Sequence, residues 1–118
     1  MKQEPAVLMR IYVSSTDKID HKPLYEAIVF FAKQNGLQGA TVLKGMMGFG
    51  PSSKIISASM WEVTEKLPIV VEIVDQPEKV HLFADLLMPM LEKSEKGFMV
   101  TYTNIEIAMA GVGKSKKR

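Results

Sequence analysis

The amino-acid sequence predicts a single α+β domain of βαββαβ order: an antiparallel sheet with two helices on one of its faces. Three observations carry this expectation. Four segments read as strands and two repeat apolar residues at helical spacing. These segments follow one another in strand–helix–strand–strand–helix–strand order. The chain has 118 residues, room for one such domain, and its 47% hydrophobic and 24% charged residues are the composition of a domain with its own core.

Taken in order, Ala6 to Val13 alternates, with Val7, Met9, Ile11 and Val13 on one face and Leu8, Arg10 and Tyr12 on the other. Ser14 to Lys22 is polar and reads as a loop. Pro23 suits the first turn of a helix, where its missing N–H costs nothing. Leu24, Ala27, Ile28 and Phe31 then repeat at helical spacing, and Asn35-Gly36 ends the helix. Ala40 to Met47 predicts the second strand, broken by Gly48-Phe49-Gly50-Pro51-Ser52-Ser53. Lys54 to Val63 is extended again, Ile56, Ala58 and Met60 alternating with Ser57 and Ser59. The crossover thus grows into a long hairpin, which closes in a turn at Thr64 to Leu67. Pro68 to Val74 is the most regular strand: Ile69, Val71 and Ile73 face one way, Val70, Glu72 and Val74 the other. Asp75-Gln76-Pro77-Glu78 combines a capping side chain, a proline and an acid at the start of a second helix. Its stripe is Val80, Phe83, Ala84, Leu87 and Leu91, and Pro89 is expected to kink or shorten its last turns. Met99 to Ala108 closes the chain as a strand. Two βαβ-type halves with right-handed crossovers make this the ferredoxin-like arrangement. Residues 1–5 are expected to be a flexible start, 6–110 the domain, and 111–118 a disordered basic tail.

The chain contains no cysteine, which excludes disulfides, thiolate metal sites and cysteine nucleophiles together. Met1-Lys2-Gln3-Glu4-Pro5 lacks the apolar core of a signal peptide, and no apolar run approaches the ~18 residues that span a bilayer. The expectation is a cytoplasmic protein that is not embedded in a membrane. The net charge of +2 is concentrated in Lys114-Ser115-Lys116-Lys117-Arg118, without which the body is slightly acidic. A nucleic-acid binder carries its basic patch on the folded body, so nucleic acid is not an expected partner.

On the sheet face that the helices leave bare, the alternation places Leu8, Tyr12, Val70, Val74, Val100 and Tyr102 among Arg10, Lys44, Glu72 and Glu106. An apolar face of this extent marks a partner surface, and a second copy packing sheet on sheet is the simplest partner.

The densest signal is Lys44-Gly45-Met46-Met47-Gly48-Phe49-Gly50-Pro51-Ser52-Ser53-Lys54. Glycine lets backbone N–H groups converge on a ligand, and Ser52, Ser53, Lys44 and Lys54 add donors suited to an anion. Gly45, Gly48, Phe49 and Gly50 complete the candidate ligand-binding set. The run is not a Walker loop, because Pro51-Ser52 stands where Lys-Ser/Thr is needed, nor a Rossmann fingerprint, because no helix follows. A strand-ending bulge and turn without a ligand is the competing reading.

Nothing points to catalysis. His21 and His81 lie far apart, without partners at metal spacing, and no metal is expected. Asp17 and Asp20 read as turn or cap residues. No nucleophile elbow surrounds Ser52 or Ser53. Glu72 and Glu106 could pair across neighbouring strands, but Arg10 and Lys44 beside them argue for charge balance. Trp61 reads as a packing or interface residue.

Gly39-Ala40-Thr41-Val42 running into Gly48-Phe49-Gly50 resembles the second strand and T-loop base of PII signalling proteins. The fuller match is to the PII-like family of unknown function, domain-of-unknown-function family 190. It covers Lys22-Pro23-Leu24-Tyr25-Glu26-Ala27-Ile28, then Gly39 to Gly45, Gly48-Phe49-Gly50 and Leu67 to Asp75. The resemblance spans roughly Leu8 to Ile107. It implies a ferredoxin-like fold, a homotrimer and a T-loop-like insertion, with ligands held in clefts between subunits beside the loop base. PII proteins bind nucleotides there. This chain departs from them at Pro51-Ser52-Ser53-Lys54, where they carry Arg-Gln-Lys-Gly, and at Ser94-Glu95-Lys96-Gly97, where they carry a second nucleotide loop. No tyrosine lies between Pro51 and Lys66 to serve as their modification site. The resulting expectation is a trimeric PII-like regulator that is not an enzyme. It binds a small anionic ligand at the glycine-rich loop, a nucleotide being one candidate, with no cofactor required. The alternative is a ligand-free module that docks a protein or transporter partner through the Pro51–Lys66 hairpin.

Overall fold

The computed structural model describes residues 4–50, 56–57 and 66–114. Strand β1 (Glu4–Ser14) begins two residues before the expected alternation. A two-residue hairpin follows, β2 (Lys18–Ile19) and β3 (Lys22–Pro23), within the segment read as a loop. Its turn residues, Asp20 and His21, have φ of 50° and 69°. That is the left-handed pair a tight hairpin turn requires, and Asp and His accept it better than most side chains. The remaining elements are α1 (Leu24–Gln34), β4 (Thr41–Lys44), β5 (Met47–Gly48), β6 (Ile56–Ser57), β7 (Pro68–Asp75), α2 (Pro77–Lys93) and β8 (Met99–Ile107).

Four strands form one antiparallel sheet in the order β4-β7-β1-β8, the ferredoxin-like topology expected from the element order. Both helices cover one face. Val7, Met9, Ile11 and Val13 of β1, with Ile69, Val71 and Ile73 of β7, meet Leu24, Ile28 and Ala32 of α1 and Val80, Phe83, Leu87 and Leu91 of α2. Phe31 and Phe83 pack ring to ring at 5.6 Å where the helices touch. Burying each of the larger of these side chains contributes on the order of 2 kcal/mol, so the face with strict alternation sets the register.

The end of α1 and the start of α2 follow from the sequence, whereas Pro23, expected in the first turn of α1, is the residue before it, extended and paired in β3. Asn35 caps α1, and Gly36, at φ +78°, lets Leu37 N–H reach the Ala32 carbonyl at 3.1 Å and Gly36 N–H the Lys33 carbonyl at 3.2 Å. In α2, Pro77 occupies the first turn as expected, but Pro89 does not shorten the helix, which continues to Lys93. Pro89 removes the donor to the Asp85 carbonyl one turn earlier, and both residues are exposed, on the solvent side of the helix.

The register corrects the reading of the bare face. Leu8 pairs with Val74 and Thr103, Arg10 with Glu72 and Thr101, and Tyr12 with Val70 and Met99. Residues directly opposite share a face, so β8 contributes Met99, Thr101, Thr103 and Ile105 to the bare side. Val100, Tyr102 and Glu106 stand on the helix side instead, where Tyr102 meets His81 of α2 edge-on at 4.6 Å. Lys44 changes sides as well: it pairs with Ile69, while Thr41 and Leu43, opposite Glu72 and Val70, hold the bare face.

Candidate functional site

The second strand ends earlier than its sequence suggests. β4 stops at Lys44, and Gly45 turns the chain by donating its N–H to the Pro68 carbonyl at 2.7 Å. A Cβ on Gly45 would lie 3.2 Å from Pro68 Cβ and 3.4 Å from the Pro68 carbonyl oxygen, so a side chain here would have to push Pro68 back by a few tenths of an ångström. A Cβ on Gly48 would lie 3.2 Å from the same ring. The glycine-rich turn is therefore seated on Pro68, at the start of β7. Beyond the seat, β5 pairs with β6 through Met47–Ser57 and Gly48–Ile56. Met46, Met47 and Phe49 project with 78%, 61% and 70% of their surface exposed, and a Cβ added to Gly50 would meet nothing within 4 Å. Of the expected ligand set, Gly45 and Gly48 come together on one ring, Phe49 and Gly50 are open to solvent, and Lys44 is exposed on the helix side. Ser52, Ser53 and Lys54 lie outside the described residues, as do Trp61 and most of the Pro51–Lys66 hairpin.

At the other end of β4 the structure holds a cavity that the sequence pattern does not announce. It measures about 400 Å³. Gln38, Thr41 and Glu72 supply its polar lining, and Gly39, Ala40, Val74, Ile107 and Ala110 the rest. The carboxylate of Glu72 is paired, its Oε2 lying 3.0 Å from Arg10 Nε across the bare face. This is the charge balance expected of Arg10. The alternative, a Glu72–Glu106 carboxylate pair, is ruled out by register, since the two residues stand on opposite faces of the sheet. Behind the cavity wall Asp75 is 1% exposed. Its Oδ2 accepts the Gln38 backbone N–H at 2.9 Å, and its Oδ1 accepts Gln38 Nε2 at 3.2 Å and the Gln76 N–H at 2.8 Å. Asp75 is thus one residue before the helix cap, and it ties the α1–β4 connection to the start of α2. The pattern Asp-Gln-Pro-Glu signals the helix start, but the expected capping side chain is not found: the cap position is Gln76, without a side-chain hydrogen bond, and Asp75 instead makes a cross-link to Gln38, 37 residues away.

A second hollow, about 410 Å³, lies against Glu4, Pro5, Gln76, Pro77 and Glu78 at the start of α2. Its two carboxylates oppose an anion there. The histidines remain apart: His21 is at the β2–β3 turn and His81 rests on Tyr102. Among the described residues no group of three or more His, Cys, Asp or Glu is placed to hold a metal ion. No helix among them is long and apolar enough to cross a membrane.

With this geometry in place, comparison with known proteins identifies the family. The family model DUF190, described as uncharacterized ACR, matches residues 6–107. A UPF0166 protein of Aquifex aeolicus (strain VF5) is 31% identical over 100 residues, covering 85% of this chain and 90% of its own. A UPF0166 protein of Methanocaldococcus jannaschii is 30% identical over 76 residues, covering 64% and 69%. Among solved structures, the nitrogen regulatory PII-like protein CPII from Thiomonas intermedia K12, bound to ADP, AMP and bicarbonate, superposes with a TM-score of 0.69 at 16% identity over 92% of each chain. A putative PII-like signaling protein from Thermus thermophilus gives 0.63 at 20% identity, over 91% of this chain and 93% of its own. The chain belongs to the DUF190 family and has the PII-like fold.

Proposed function

From membership of this family and a PII-like fold, we propose that the protein is a cytoplasmic regulator. In this reading it works as a homotrimer, binds a small anionic ligand along β4, and signals through the glycine-rich loop. One observation carries the reading: a single edge strand connects the cavity at Gln38–Thr41 to the glycine turn at Gly45–Gly50. Thr41 and Gly45 are four residues apart, about 13 Å along an extended strand, a span that a nucleotide covers from base to phosphates. The cavity would take the base. The turn, with Lys44, Gly45, Gly48, Phe49 and Gly50 and with Ser52, Ser53 and Lys54 beyond, would take the anion. That CPII was solved with ADP, AMP and bicarbonate supports an adenine nucleotide as the first ligand to try.

Calorimetric titration with ADP, AMP, ATP and bicarbonate tests the ligand. An adenine nucleotide is expected to bind and to raise the melting temperature, and Gly50→Val to weaken binding without lowering the melting temperature of the free protein. If no anionic ligand binds or shifts the melting transition, the ligand-sensing part is wrong. The docking module without a ligand would then be the reading to pursue.

A further inference from the structure

We infer that Asp75 fixes the side-chain amide of Gln38 so that its oxygen faces the cavity, and that Gln38 thereby selects a base bearing an exocyclic amine over one bearing a carbonyl. This rests on the nucleotide reading above and specifies which base the cavity accepts.

The orientation follows from hydrogen-bond chemistry. A buried carboxylate accepts and does not donate, so the end of the Gln38 amide that meets Asp75 Oδ1 at 3.2 Å is its NH₂. The usual ambiguity between amide oxygen and nitrogen is therefore settled by the partner. The same carboxylate holds the Gln38 backbone at 2.9 Å and the Gln76 backbone at 2.8 Å. Lys79 Nζ lies 3.8 Å from Oδ2 and also donates to the Gly36 carbonyl, closing the network on the loop that leads into the cavity. Gln38 cannot turn its amide over without setting oxygen against carboxylate. Its amide oxygen is the end directed away from Asp75, on an exposed residue that lines the cavity.

The rest of the lining agrees with this polarity. Glu72 contributes a carboxylate, one oxygen of which is held by Arg10, and none of the lining residues carries a cationic side chain. A phosphate or carboxylate would meet acceptors here. A neutral group with N–H donors would find partners in Gln38 and Glu72. A 6-aminopurine offers two such donors at its exocyclic nitrogen, whereas a 6-oxopurine presents a carbonyl at that position and keeps only the single ring N1–H beside it.

Titration of the full chain with ADP and with IDP, its oxopurine counterpart, tests the inference. The wild type is expected to bind ADP about tenfold more tightly, the worth of one well-made hydrogen bond against an unpaired acceptor. Gln38→Met should bring the two affinities together, and Asp75→Asn, which lets the Gln38 amide turn, should do the same. A cooperative melt and an unchanged circular dichroism spectrum establish that each variant folds. If Asp75→Asn does not fold, ¹⁵N spectroscopy of the wild type decides its role: the Gln38 side-chain amide should exchange with solvent more slowly than a free glutamine. Equal affinity of the wild type for ADP and IDP, an undiminished preference in Gln38→Met, or free-glutamine exchange at Gln38 would each overturn this inference alone. Failure of the wild type to bind either nucleotide would overturn the nucleotide reading, and this inference with it.

Discussion

Single residues in this protein differ sharply in what they tolerate, and the glycines give the clearest case. A Cβ added at Gly45 would meet Pro68 ring and backbone at 3.2–3.4 Å, whereas one added at Gly50 would meet nothing within 4 Å. Gly45→Ala is therefore expected to destabilise the fold by about 1–2 kcal/mol, through forced separation of β4 and β7, and Gly50→Ala by almost nothing. Chemical denaturation of the two variants checks the contrast. Tyr102 supplies a pH signature. Burial, and secondarily the charge of Asp85, raise its pKa above the ordinary tyrosine value. The phenol therefore holds its proton more tightly in the folded chain. The associated stability is complete below about pH 10, where the unfolded chain is also protonated, and is lost as pH rises through the folded value. Tyr102→Phe should flatten the decline in melting temperature at alkaline pH, and an unchanged decline would contradict this account.

At the scale of elements, what could be read in advance depended on whether contacts were local. The Asn35-Gly36 stop of α1, the Pro77 start of α2 and the alternation of β7 are written within a few residues, and the structure has each of them. Gly36→Ala would place a Cβ at φ +78° and is expected to cost about 1 kcal/mol, measurable by the same denaturation experiment. The sidedness of β8 was not legible, because both of its faces mix apolar and polar residues. Met99-Val100-Thr101-Tyr102 alternates equally well in either phase, and only pairing with β1 chooses. The side taken by Lys44 is hidden for the same reason, since it follows from its pairing with Ile69. The candidate site divides the same way. The glycine turn announces itself in sequence, while the cavity is assembled from Gln38, Glu72 and Ile107, residues from three separate segments.

The whole molecule is shaped by the imbalance between the two faces of its sheet. Helices cover one. The other keeps Leu8 and Tyr12 of β1, Val70 and Val74 of β7, Leu43 of β4 and Met99 of β8 around the Arg10–Glu72 pair. Leu43 and Met99 are 46% and 53% exposed, an apolar rim that a solvated sheet face would not carry. Under the proposed assembly, sheets from three chains bury this surface, and the paired charges at its centre enter the interface already neutralised. Light scattering coupled to gel filtration should then report about three times the 13.2 kDa of one chain. Leu8→Glu adds an unpaired carboxylate in the middle of the face without touching the helix-side core. It should leave a folded monomer, with a melting temperature that no longer rises with protein concentration. Because Glu72 borders the cavity as well as the bare face, the same monomer should also bind a nucleotide more weakly than the wild type. A Leu8→Glu variant that stays assembled, or a wild type that elutes as a single chain at micromolar concentration, would refute the trimer.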